Sequence, residues 1–87
     1  MNTVNVAYPQ HVFPGFDIEL GTELSELHFG DCQVIQGIPH TLVGRSFALD
    51  SKEKADRAEG KIRALLAKRG YDTMTGTLIW RSDSLHQ

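Results

Sequence analysis

The chain has 87 residues, 40% of them apolar and 23% charged, with a formal net charge of −2. That length bounds it to one small domain, 1–87, and that balance excludes a disordered tail. No run nears the roughly 18 consecutive apolar residues of a membrane span. Its single cysteine, Cys32, cannot close an internal disulfide, and the first residues lack the basic flank and apolar core of a signal peptide, so a cytoplasmic location is expected.

In chain order, Val4, Val6 and Tyr8 alternate with Thr3, Asn5 and Ala7 and predict a first strand, which Pro9 and Pro14 break. Phe16, Ile18 and Leu20 alternate with Asp17 and Glu19, which predicts a half-buried strand with a carboxylate face that turns at Gly21. A further strand is predicted from Leu24 to Phe29, with Leu27 and Phe29 on one side and Glu26 and His28 on the other. Gly30-Asp31 signals a turn before a short run from Gln33 to Ile38. Thr41 to Leu49 reads as a strand with Val43, Phe47 and Leu49 inward.

The one predicted helix spans 51–69. Asp50 serves as its N-cap with Glu53 closing a capping box, and Gly70 follows Lys68 and Arg69 where a left-handed residue ends a helix. Ala55, Ala58, Ile62, Leu65 and Leu66 form its apolar stripe, and Glu59 and Arg63 are spaced to pair on the opposite face. Thr77 to Arg81 is the last strand, and 82–87 reads as a frayed tail. One helix covers one face of one sheet, so the fold class is α+β: two layers, with the helix on a mainly antiparallel sheet of four to five strands. The strands from Thr41 and Thr77 are expected to pair in parallel through a right-handed crossover.

Charge is unevenly distributed. Residues 1–44 hold Asp17, Glu19, Glu23, Glu26 and Asp31 and no lysine or arginine, whereas all nine bases follow. Catalysis finds little support: there is no nucleophile elbow, no paired-histidine zinc helix and no phosphate loop of recognised spacing. Asp31 beside Cys32 disfavours a thiolate, and His28, Cys32 and His40 lack the paired spacing of a zinc site. No cofactor and no metal are expected.

The charge map suits binding better. The five carboxylates are expected to form an acidic sheet face that docks on a basic protein surface, as a small phage or mobile-element inhibitor of a nucleic-acid-handling complex would. The alternative is a nucleic-acid-binding module using Arg45, Arg57, Lys61, Arg63, Lys68 and Arg81 with the exposed side of Phe47 or Trp80. A small enzyme or enzyme subunit is the third reading. A homodimer is open to any sheet of this kind, through an edge strand or an uncovered face.

Overall fold

A computed structural model of the chain describes residues 2–13, 15–29, 32–34 and 41–83, the side chains of 32–34 and 83 excepted. Its strands are β1 (Asn2–Pro9), β2 (Cys32–Val34), β3 (Leu42–Leu49) and β4 (Leu78–Asp83), and its helices are α1 (Gly15–Leu24) and α2 (Lys52–Arg69). The sheet runs β2-β3-β1-β4 with every neighbouring pair antiparallel. β1, β3 and β4 form its body, and β2, described over Cys32–Val34, extends it beyond β3. This β-α-β-β-α-β order is the ferredoxin-like arrangement, in which two split β-α-β units interlock.

β1 is central, which explains its composition. Val4, Val6 and Tyr8 are fully buried, and Asn5 and Ala7 between them are nearly so. Asn5 meets the cost of burying an amide by donating from Nδ2 to Ser82 Oγ at 3.1 Å and to the Trp80 carbonyl at 3.4 Å. The expected parallel pairing of the strands from Thr41 and Thr77 is replaced by β1, which lies between them and pairs with both. β4 also continues through Ser82 and Asp83 opposite Thr3 and Asn2, so the tail expected from 82 is strand for two residues, and 84–87 lie outside the described residues.

The segment expected as a carboxylate-faced strand is α1, and the one after it opens as a 3-10 turn, Ser25–Leu27. The fold therefore has two helices over the sheet where one was expected. The alternation of Phe16, Ile18 and Leu20 misleads because a second pattern overlies it. Phe16, Leu20 and Leu24 recur at every fourth position, and all three are buried with Leu27, whereas Ile18 is 66% exposed. Gly21 is inside the helix rather than at a turn. His28 takes a left-handed φ of 55° and ends the 3-10 turn.

α2 buries Ala55, Ala58, Ile62, Leu65 and Leu66, the stripe expected from its spacing. Its N-cap is Ser51 rather than Asp50: Ser51 Oγ accepts from the Lys54 backbone N–H at 3.1 Å. Gly70 closes it at φ 77°, donating to the Ala67 carbonyl, and the next N–H, from Tyr71, reaches back to Leu66 at 2.8 Å. That closure places the Tyr71 ring edge-on to Phe16 at 5.0 Å, and Phe16 meets Tyr8 in the same geometry at 5.0 Å. An aromatic file thus ties the end of α2 to α1 and β1.

Candidate functional site

The carboxylates of the first half are not on a sheet face. Asp17 and Glu19 are on α1 and Glu26 is in the 3-10 turn, and each meets cations of the second half. Asp17 Oδ1 lies 2.9 Å from Arg45 Nε, both side chains mostly buried, and accepts from Tyr8 at 3.4 Å. Glu19 takes both Nε and Nη2 of Arg69, at the far end of α2. Glu26 lies between Lys61 at 3.1 Å and Arg57 at 3.5 Å. Glu23 is exposed beside Lys61 and Lys68 in the groove between the helices. Asp31 lies outside the described residues. Among the described residues these carboxylates thus lie on α1 and the 3-10 turn rather than on a sheet face, and three of the four meet a cation.

The basic surface is spent in the same way. Besides those four contacts, Lys54 pairs with Asp50 at 3.3 Å, Lys52 with Asp56 at 3.3 Å and Arg63 with Glu59 at 2.9 Å. Arg81 spans α2, reaching Asp56 at 2.8 Å and Glu59 at 3.2 Å. Eight of the nine bases are thus in ion pairs. The ninth, Lys68, borders the groove between α1 and α2. Phe47 is fully buried, edge-on to Phe29 at 5.1 Å, so no face of it is open to a base.

Titration follows this pairing. The Lys61 hydrogen bond and charge hold the Glu26 carboxyl below the usual carboxylate range. Hydrogen bonds from Arg81 and then Lys52 do the same for Asp56, and Arg63, opposed in part by desolvation and then helped by Arg81, does so for Glu59. The Arg81 guanidinium is held further into its charged form, chiefly by Asp56.

A second surface lies along β4. The sheet ends there, so one side of this strand pairs with β1 and no described strand pairs with the other. Native edges are usually blunted by brevity, proline or an outward charge. The opposite edge is β2, of which Cys32–Val34 are described. β4 has six residues and no proline, and its Arg81 is turned onto α2 instead of guarding the edge. Leu78 is 59% exposed, and Trp80 shares its side of the sheet.

Two clefts flank this strand. One, of about 280 Å³, is lined by Arg63 and Leu66 of α2, Asp72 and Thr77 of the connecting loop, and Leu78 and Ile79. The Thr77 Oγ1 is buried with no hydrogen-bond partner among the described residues. The other, of about 160 Å³, lies at the far end between Asn2, Lys52, Arg81 and Ser82. Sequence reasoning passed over Leu78, Thr77 and Asp72. The available signal was Leu-Ile-Trp, three consecutive large apolar residues in a terminal strand whose only nearby base is needed elsewhere. No group of three or more histidine, cysteine or acidic side chains suited to a metal is found among the described residues. No helix among them is long and apolar enough to cross a membrane.

No protein-family model matches the chain, and no curated protein matches it. Among solved structures it is similar to the ligand-free regulatory subunit of aspartate kinase from Thermus thermophilus, with a TM-score of 0.62 and 19% sequence identity. The similarity covers 94% of this chain and 50% of that subunit, so the chain spans half the length of its structural neighbour. At that identity the likeness is one of fold.

Proposed function

We propose that the chain is a non-catalytic binding module that receives an extended segment of a protein partner along β4. The single observation that carries this reading is the β4 edge itself: six residues without proline, no described strand on the outer side, and a leucine that is 59% exposed. Strand addition at such an edge takes its affinity from backbone hydrogen bonds and its selectivity from side-chain pockets. The clefts beside Leu78 and Ser82 supply those pockets, and the first is bordered by the buried Thr77 hydroxyl, which has no hydrogen-bond partner among the described residues. The accessory or inhibitory role expected from the sequence is kept in this reading, but its surface moves from the carboxylates to the edge. The neighbour's description as a regulatory subunit is compatible with a module that binds rather than catalyses.

The nucleic-acid alternative is weakened by the same ion pairs. Arg57, Lys61, Arg63 and Arg81 would each have to leave a carboxylate to meet a phosphate.

The test is capture from the native host with immobilised wild type, Leu78→Lys, and a Glu19→Lys/Glu26→Lys double variant. Specific capture should be lost with Leu78→Lys and kept by the double variant. The opposite pattern would return the binding surface to the carboxylates.

A further inference from the structure

The geometry points to a second copy of the same chain as an occupant of the β4 edge, joined to it antiparallel about a two-fold axis. This rests on the edge being the binding strip and adds what fills it. Three observations converge on self-pairing.

The first is register. In an antiparallel pair, directly opposed residues point to the same side, so residues facing the helices must oppose one another. Ile79 and Arg81 oppose Val6 and Val4 of β1 and face the helices, while Leu78, Trp80 and Ser82 face away. Only axes that keep this parity are allowed. An axis through Arg81 sets guanidinium against guanidinium and is disfavoured. An axis through Trp80 sets Trp80 against its own copy, Leu78 against Ser82 and Ile79 against Arg81. On that axis the residue opposite Arg81 is the uncharged Ile79, and Arg81 keeps its contacts with Asp56 and Glu59. Aromatic residues directly opposed across an edge are among the favourable cross-strand pairs.

The second is charge. The cleft at the Leu78 end carries Asp72 beside Arg63, which is paired with Glu59, and the cleft at the Ser82 end carries Arg81, paired with Asp56 and Glu59, and Lys52, which is 79% exposed while it contacts Asp56. A two-fold axis through Trp80 reverses the second strand. It therefore brings the Asp72 end of one copy against the Lys52 end of the other, twice. Self-complementarity of this kind is what an isologous contact requires.

The third is size. Six strand residues extend about 20 Å at about 3.3 Å each. A specific contact needs roughly 1,000 Å² in total, or roughly 500 Å² from each copy. That is about a tenth of the 5217 Å² surface, within reach of one edge and its two clefts. A contact of that size belongs to the weak, reversible class.

Sedimentation velocity across a concentration series tests this, with emission from Trp80, the only tryptophan, as a second reading. The weight-average mass should climb from 9.7 kDa toward twice that value, with a blue shift of the emission. Leu78→Lys and Trp80→Lys should each weaken association by about tenfold or more. Asp72→Lys should weaken it too, and adding Lys52→Asp in the same chain should restore it. Leu78→Lys guards against loss of folding in Trp80→Lys, since Leu78 is already largely in water. A monomer at every concentration would overturn the self-pairing. If edge-dependent capture of a different protein persisted, the binding strip itself would still stand. Association that ignores Leu78→Lys and the charge exchange would equally overturn it.

Discussion

The two flanks of this molecule handle exposed groups in opposite ways. On the helical flank, ionised side chains from distant parts of the sequence neutralise one another: Asp17 with Arg45, Glu19 with Arg69, Glu26 with Lys61 and Arg57. On the β4 flank, a strand that opens Leu-Ile-Trp ends the sheet with its outer side unpaired among the described residues and its one guanidinium drawn away onto α2. The comparison teaches that a lopsided charge sequence need not mean a charged surface. Anions placed early and cations placed late are what two helices need if they are to meet each other in the right register. Exposed pairs of this kind contribute little energy and are screened by salt. One of them, Glu19 with Arg69, joins α1 directly to α2.

The largest way to break the helical flank is through its core. Phe16→Ala removes the ring that links Tyr8 to Tyr71 and should cost about 3–5 kcal/mol in urea unfolding. Arg45→Met comes next. It strands a carboxylate on Asp17, whose side chain is only 23% exposed, and should cost about 2 kcal/mol, recovered in large part by Asp17→Asn in the same chain. Gly76→Ala follows. The φ of 90° there suits glycine, and a Cβ would sit 2.8 Å from Leu42 Cδ2. It should cost more than about 1 kcal/mol and loosen the loop that leads into β4.

Much of this architecture is legible in the residues. The stripe from Ala55 to Leu66, the Gly70 stop and the strands around Val6, Phe47 and Ile79 all follow from spacing. α1 does not, because ten residues beginning Gly-Phe-Asp-Ile-Glu-Leu satisfy both a period of two and a period of four. Burial alone separates them: Ile18 is left in water and Leu24 is not. That one ambiguity moved the carboxylates from a helix to an imagined sheet face, and with them the binding surface. The edge strip escaped notice for a different reason. Whether Leu78 is an interior or an edge residue depends on strand order, which is set by long-range pairing that no local pattern encodes.

The smaller effects sharpen the contrast. Lowering the pH should destabilise the helical flank. Glu26, Asp56 and Glu59 are held below their ordinary range in the folded chain, so their contribution is complete above that range and is lost as pH falls through their folded values. Thermal melts from neutral to acid pH should show this as a falling midpoint, less steep in Glu26→Gln. Leu78→Lys should change stability least, by under about 0.5 kcal/mol, because the side chain it replaces is mostly in solvent.

Amide hydrogen exchange read residue by residue at low micromolar and near-millimolar protein tests the central contrast most directly. The account predicts that protection rises with concentration at the alternate β4 backbone amides that point away from β1, while surface amides of α1 and α2 stay unchanged. Protection that grew along the α1–α2 groove instead, with β4 unaltered, would contradict it.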